Sequence, residues 1–164
     1  MNPKRMLVAF YSRSGNTKKV AESIGKVLGC DTEEIFDTKN RAGIWGFMIS
    51  GFDATFNKPT VIRPIKRDPS AYDLVIVGSP VWNNAVSTPI RIYLTQYRDR
   101  LKDVAFFCTH SSGEPRRPLQ QMEDISGKKP VGLLALSVYD LNHGGHEPKV
   151  RAFTERLRAK LAQS

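Results

Sequence analysis

Short apolar runs alternate with amphipathic stretches along this chain of 164 residues. The runs with strand character predict five β-strands, at residues 6–11, 32–36, 72–78, 104–109 and 131–138. Apolar residues three and four positions apart predict a helix after the first strand, and the same spacing predicts a last helix over residues 147–161. Gly29 is placed to end the first helix, and Pro89 is placed to begin a helix after the third strand.

Strands that alternate with helices predict a parallel sheet covered on both faces, which is a doubly wound, three-layer α/β sandwich. No internal repeat or linker interrupts residues 1–164, and we expect one domain. Ligands of such sheets bind beyond the carboxyl ends of the strands, where the strand order reverses. Three polar loops follow carboxyl ends, after the first, third and fourth strands, and we therefore expect a ligand site there.

The segment 37–68 has a weaker pattern. Ile44, Phe47, Met48 and Phe52 are spaced as on a helix, although nearby glycines weaken it. We interpret the segment as a short apolar helix followed by a loop through residues 56–59. Its aromatic residues have two interpretations, as part of the core or as a flap over a ligand.

The most specific chemistry lies in the first polar loop, which reads Ser12, Arg13, Ser14, Gly15, Asn16, Thr17. It enters the first turn of a helix, where the N–H groups lack intrahelical partners and the helix dipole is positive. Gly15 lets the backbone come close to a bound group, and the short polar side chains add donors. The loop predicts a socket for a terminal phosphate; the alternative is that Asn16 or Thr17 only caps the helix.

The chain has 25 basic and 16 acidic residues, a formal charge of +9. No nucleic-acid-binding motif accompanies this charge, so we expect no nucleic-acid partner and interpret the excess as solvated helix faces. Such a surface would still favour an acidic partner protein or an anionic substrate. No apolar run approaches the roughly 20 residues that span a membrane, and the run at residues 6–11 is too short for a signal peptide. We therefore expect a cytoplasmic protein.

Three segments together resemble the flavodoxin family. They are the first polar loop, then Gly78-Ser79-Pro80-Val81-Trp82, then Cys108-Thr109-His110-Ser111-Ser112-Gly113. The resemblance covers nearly the whole chain and implies the flavodoxin-like fold, with strand order 2-1-3-4-5. It also implies a non-covalent FMN cofactor at the point where the strand order reverses.

The resemblance implies a role for each segment. The FMN phosphate loop corresponds to Ser12, Ser14, Gly15, Asn16 and Thr17, with Arg13 at its variable position. The second flavin loop corresponds to Ser79, Pro80, Val81, Trp82, Asn83 and Asn84. The third loop, which faces the pyrimidine end of the flavin, corresponds to Thr109, His110, Ser111, Ser112 and Gly113. Trp82 is placed to stack on the isoalloxazine; the alternative is that it belongs to the core.

Three departures from the flavodoxin pattern bear on function. The third loop lacks the aromatic residue that well-known flavodoxins place there, which would leave one flavin face open. The chain is basic whereas the familiar carriers are acidic, and we expect a less reducing flavin. The fifth strand reads unbroken, without the insertion of the long flavodoxins, and the extra length lies in residues 37–68.

Two functions are left open, and neither assigns a catalytic residue. The first, which we favour because no separate nicotinamide fingerprint is visible, is an electron carrier that passes electrons between partner proteins on FMN. The second is an NAD(P)H-dependent reductase of quinones or other small acceptors, which the basic surface and the missing aromatic favour. Both a monomer and a dimer are compatible with the sequence.

The remaining histidines and cysteines do not predict a second site. His143 and His146 lack a third ligand, so we expect no metal centre; their loop follows the fifth strand on the ligand side, which leaves contact with a substrate as the alternative. His110 is interpreted as an ordinary loop residue, with action on the reduced ring as the alternative. Cys30 and Cys108 give neither a disulfide framework nor metal-ligand spacing, and Glu114 after Cys108 excludes the Cys-x5-Arg spacing of phosphatase loops.

Overall fold

The computed structural model describes residues 3–38 and 61–163. The strands within these ranges are β1 (Met6–Phe10), β2 (Asp31–Glu34), β3 (Leu74–Trp82), β4 (Ala85–Val86), β5 (Asp103–His110) and β6 (Leu133–Ser137). The α-helices are α1 (Asn16–Leu28), α2 (Thr88–Tyr97), α3 (Arg116–Ser126), α4 (Val138–Asn142) and α5 (His146–Ala162). Short 3₁₀ turns lie at Pro69–Ala71 and Arg98–Arg100.

The strands form one sheet in the order β2-β1-β3-β5-β6. These five strands are parallel, and they follow the expected order 2-1-3-4-5, which confirms the α/β fold class. The short β4 was not predicted, and it pairs antiparallel with the end of β3. The third strand was predicted to end at Gly78, but β3 continues to Trp82 because its last residues form a hairpin with β4.

Side chains of the central strands alternate between two buried layers. Leu7 and Ala9 face one layer, while Val8 and Phe10 face the other. The first layer also contains apolar residues of α2 and α3, and the second contains those of α1 and α5. Helices therefore cover both faces of the sheet, which explains why β3 and β5 are apolar at consecutive positions.

Gly78, at the centre of β3, is required by close packing across the sheet. A Cβ atom at this position would lie 1.9 Å from Cζ of Phe107. Real contacts of this kind do not occur, so the Phe107 ring occupies the space that a side chain at residue 78 would need. The two residues are directly paired in the register of β3 with β5, so the lack of a side chain at residue 78 makes room for the ring on the neighbouring strand.

The helix ends agree with the predictions where these can be compared. Helix α1 ends at Gly29, which has φ of 64°, and α5 matches the last predicted helix to within one residue. Helix α4 was not predicted.

No described helix is both long and apolar enough to cross a bilayer. The helix expected around Ile44 to Phe52, and the loop at residues 56–59, lie outside the described residues.

Candidate functional site

An open crevice of about 100 Å³ lies at the carboxyl ends of β1, β3 and β5. At β1 the chain order reverses, because β2 lies on one side of it and β3 on the other. The crevice is lined by Arg13, Ser14, Asn16, Thr17, Pro80, Val81, Trp82, Thr109, His110, Ser111 and Val138. Residues of all three predicted loops therefore line one crevice.

The first loop is held in shape by the side chain of Ser12. Its Oγ accepts hydrogen bonds from the backbone N–H of Gly15, at 3.1 Å, and of Lys18, at 3.2 Å. Gly15 is the N-cap of α1 and has φ of 94°, a left-handed conformation that glycine adopts readily. Ser12 thus satisfies one N–H group of the first helical turn, while helix geometry leaves the N–H groups of Asn16 and Thr17 without intrahelical acceptors.

The first and third loops are joined by a hydrogen bond between two threonines. The Oγ1 atoms of Thr17 and Thr109 are 2.8 Å apart, and either hydroxyl can be the donor. Both residues are buried, with exposed fractions of 1% and 4%, and both line the crevice. The hydroxyl of Thr17, which the sequence predicts as a phosphate donor, therefore has a protein partner as well.

The second loop is a β-hairpin rather than an irregular loop. Asn83 and Asn84 form its two-residue turn, with φ of 49° and 58°. Left-handed conformations at both turn residues characterise the type I′ turns that suit the twist of paired strands, and asparagine tolerates them well. Ser79 is buried and is not part of the crevice lining. Its Oγ donates a hydrogen bond to Oγ of Ser87 and accepts one from the N–H of Ser87, both at 2.9 Å.

Trp82 belongs both to the core and to the wall of the crevice. Its side chain is 6% exposed, and its ring meets the ring of Tyr11 edge to face, with centroids 5.4 Å apart. The indole also lines the crevice beside Pro80 and Val81. The interpretation of Trp82 as a core residue is therefore confirmed, and its stacking on a flavin stays a prediction.

The third loop carries a buried polar atom that is available for a ligand. Nδ1 of His110 is buried and has no hydrogen-bond partner among residues 3–38 and 61–163. Such atoms are uncommon in folded proteins and call for an explanation. His110 lines the crevice, so a hydrogen-bonding group of a bound molecule could complete its environment.

The second and third loops touch at the rim. Gly113 has φ of 90°, and a Cβ atom there would lie 2.1 Å from Oδ1 of Asn84. The amide at the hairpin tip therefore packs directly against the backbone of the third loop. Together with the threonine pair, this contact connects all three loops at the site.

Comparisons with known proteins agree with this geometry at the level of structure. No protein-family model and no curated protein matches the chain. A flavoprotein from Lactobacillus acidophilus, solved in complex with FMN, superposes with a TM-score of 0.72 at 25% identity, over 86% of this chain and 98% of that chain. The chain has a flavodoxin-like fold. Flavodoxin 2 from Bacillus cereus is similar with a TM-score of 0.59 at 20% identity, over 95% of this chain and 99% of that one.

Within this flavodoxin-like fold, the predicted site residues divide into two groups. Most line the crevice, as described above. The others are Ser12, Gly15, Ser79, Asn83, Asn84, Ser112 and Gly113, which lie outside its lining. Ser12 and Gly15 shape the first loop, Ser79 anchors the start of α2 through Ser87, and the residues of the hairpin tip and the third loop form the rim.

Two features of the site were not predicted from the sequence. Val138, which the sequence analysis placed in a fifth strand over residues 131–138, instead begins α4 after β6 ends at Ser137, and it lines the crevice. The bond between Thr17 and Thr109 was also missed. The available signal was that both threonines follow or end strands at the same edge of the sheet, where their side chains can meet.

The cysteines and His143, which were considered for thiol or metal chemistry, are buried, partly buried or hydrogen-bonded within the protein. Burial raises the pKa of Cys108 to about 12 and, with the neighbouring Asp31 charge, that of Cys30 to about 11, so neither thiol is ionised near neutral pH. Nδ1 of His143 lies 2.9 Å from the carbonyl oxygen of Tyr139. Within the described part of the chain, no three histidine, cysteine or acidic side chains could hold a metal ion.

A larger cavity of about 390 Å³ lies beside β2, between that strand and residues 63–67. Several of its polar groups already bind each other. Nζ of Lys18 is 3.0 Å from Oε2 of Glu34, and Oε1 of Glu33 accepts from the N–H of Lys66 at 2.8 Å. The crevice is the better candidate because its polar groups converge from separate loops.

Proposed function

We propose that this chain binds FMN non-covalently in the crevice and acts as a flavodoxin-like electron-transfer protein. One observation carries the proposal. The crevice at the reversal of strand order joins the amino-terminal end of α1 to a wall that contains an indole ring. A terminal phosphate and a flat aromatic ring are the two chemical features that such a site would accommodate together. The similar Lactobacillus acidophilus structure, which contains FMN, supports the proposal.

The first loop would hold the phosphate. Ser14 and Asn16 line the crevice, and the free N–H groups and dipole of the first turn of α1 favour a dianion. Arg13 lines the same region and adds positive charge. The socket needs no lysine, because the helix terminus provides much of the favourable field.

The second and third loops would hold the flavin ring. Pro80, Val81 and Trp82 offer an apolar wall that excludes water, and Nδ1 of His110 lacks a hydrogen bond that a polar edge of the ring could supply. When bound, FMN provides one- and two-electron transfer chemistry. We assign no catalytic residue, since the protein's part is to bind the cofactor, to set its potential and to control access to it.

A second function, NAD(P)H-dependent reduction of quinones or other small acceptors, is favoured by the rim of the third loop. Ser111, Ser112 and Gly113 are small and exposed, so this side of the crevice is not closed by an aromatic ring of the third loop. An assay with the FMN-loaded protein, NADPH and a quinone separates the two functions. Rapid oxidation of NADPH would identify a reductase, whereas a carrier requires a partner protein. We propose that this partner has an acidic surface, given the charge of +9.

The primary experiment is a titration of the purified apoprotein with FMN, followed by flavin fluorescence and by thermal unfolding. We expect stoichiometric quenching and a melting temperature that rises with FMN concentration, because a ligand that binds only the folded state stabilises it. Riboflavin, which lacks the phosphate, should bind more weakly. Absence of both quenching and stabilisation at excess FMN would refute the proposal.

A further inference from the structure

The threonine pair places a constraint on the direction of its hydroxyl protons. Each hydroxyl has one proton, so only one of the two can donate across the 2.8 Å between Thr17 and Thr109. No other hydrogen bond of either hydroxyl occurs within residues 3–38 and 61–163. Whichever threonine accepts therefore keeps a proton that is available to a third group. Since both residues line the crevice, that third group would be a ligand.

The location of a bound phosphate selects between the two arrangements. Thr17 lies in the first turn of α1, where the helix dipole and the free N–H groups favour an anion. If Thr17 donated to Thr109, lone pairs of Thr17 would face the phosphate, which is repulsive. If Thr109 donates, the Thr17 proton is free for a charge-assisted hydrogen bond to the phosphate. Donation from Thr109 also polarises the Thr17 hydroxyl and strengthens that bond.

We propose that Thr109, at the end of β5, is a positioning residue for the phosphate site: its hydroxyl donates to Thr17 and directs the Thr17 proton toward the phosphate. The inference rests on the proposed function, because it concerns the phosphate of the bound cofactor. It makes phosphate recognition a property of two loops. The third loop, which faces the flavin ring, thereby also contributes to binding of the phosphate at the other end of the cofactor.

The experiment compares FMN with riboflavin in Thr17→Val, Thr109→Val and the double variant. Valine keeps the shape of threonine and removes the hydroxyl. We expect Thr109→Val to weaken FMN binding about tenfold while changing riboflavin binding less than about twofold. Thr17→Val should weaken FMN at least as much. The double variant should bind FMN no worse than Thr17→Val alone, because Thr109 acts only through the Thr17 hydroxyl.

Two further variants separate positioning from folding. Thr109→Ser restores a hydroxyl and should recover most of the FMN affinity. Thr154→Val removes the hydroxyl of another buried threonine, in α5, and should leave the ratio of FMN to riboflavin affinity unchanged. The double valine variant leaves neither hydroxyl unpaired, so its apoprotein should melt close to the native protein while its preference for FMN stays low.

The possible results have distinct meanings. If the native protein does not bind FMN, both the proposed function and this inference fail. If it binds FMN but Thr109→Val keeps the native preference for FMN over riboflavin, the positioning role is wrong and the proposed function stands. Equal losses for FMN and riboflavin in Thr109→Val, or additive losses in the double variant, would also overturn the inference.

Discussion

Two serines of the first loop, two positions apart, have different surroundings. Ser12 is half-buried and accepts two backbone hydrogen bonds within the loop, whereas Ser14 is exposed at the crevice. A sequence motif treats them alike, because both are small hydroxyl residues in a phosphate-loop pattern. In the structure, Ser12 maintains the loop and Ser14 lines the crevice.

This difference gives the first prediction. Ser12→Ala should lower the free energy of unfolding by about 1 kcal/mol, as expected for the loss of a helix-capping side chain. Ser14→Ala should change it by less than about 0.5 kcal/mol, because its hydroxyl is exposed. Ser14→Ala should instead weaken binding of FMN but not of riboflavin. Urea denaturation of the apoproteins and flavin titrations measure the two quantities, and equal effects of the two substitutions on stability would contradict the assignment.

At the scale of elements, α4 connects the crevice to the last helix. Ser137 and Asp140 form a capping box at its start: Oγ of Ser137 accepts from the N–H of Asp140 at 3.0 Å, and Oδ2 of Asp140 accepts from the N–H of Ser137 at 3.0 Å. Oδ1 of Asp140 also binds Nζ of Lys149, in α5, at 2.9 Å. The position of Val138 at the crevice therefore depends on one carboxylate.

The second prediction concerns the pH dependence of this cap. The ammonium of Lys149 and hydrogen bonds from Ser137 lower the pKa of Asp140 to about 2. A lowered pKa means that the carboxylate stabilises the folded state above its unfolded pKa of about 4, and that this contribution disappears as the pH falls through about 2. Asp140→Ala should therefore cost about 1 kcal/mol at pH 7 and clearly less at pH 2, where about half of the carboxylates in the folded protein are protonated.

Denaturation of the two proteins at several pH values between 7 and 2 tests this prediction. Lys149→Met is the matched variant, since it removes only the ion pair and should raise the pKa of Asp140 while keeping the capping box. A cost of Asp140→Ala that is the same at pH 7 and at pH 2 would show that the charge of the carboxylate does not matter.

The sequence predicted the elements whose apolar pattern is long and regular, and it identified the three loops that line the crevice. It could not predict that β3 continues to Trp82, because residues such as Pro80 and Asn83 normally indicate a loop. The hairpin forms because two asparagines accept left-handed conformations and β4 pairs across them. Helix α4 was missed since its five residues are too few to show a helical period.

The sequence indicates which residues lie at the crevice better than it indicates which of them contact each other. The pairing of Thr17 with Thr109 joins residues 92 positions apart, and the contact of Asn84 with Gly113 depends on the path of two loops. Motif spacing identifies which residues reach the crevice edge. It does not show which of them bind each other instead of a ligand, and Ser79 is an example.

At the scale of the whole molecule, the charge of +9 bears on the redox potential of bound FMN. Positive charge stabilises an anionic reduced flavin and therefore raises its potential. One charge about 10 Å away contributes roughly 0.4 kcal/mol at the dielectric constant of water, before screening by salt. Several such charges would amount to some tens of millivolts.

The third prediction follows from this charge. The midpoint potential should be less negative than that of acidic flavodoxins, and added salt should lower it. Reversing Arg116 and Arg117 to glutamate, at the start of α3 after the third loop, should lower it by a few tens of millivolts. The same reversal at Lys128 and Lys129, beyond the far end of that helix, is the control and should have a smaller effect. Equal shifts from the two reversals would contradict a local electrostatic origin.

The contact between Gly113 and Asn84 limits how this site can be altered. Any side chain at residue 113 would overlap the Asn84 amide, whatever its chemistry, and the left-handed backbone there adds strain for residues other than glycine. An engineer who wished to cover the cofactor with a ring at this position would therefore also have to displace or remove the Asn84 side chain, for example by Asn84→Gly. The two positions are coupled, and a design at one of them has to include the other.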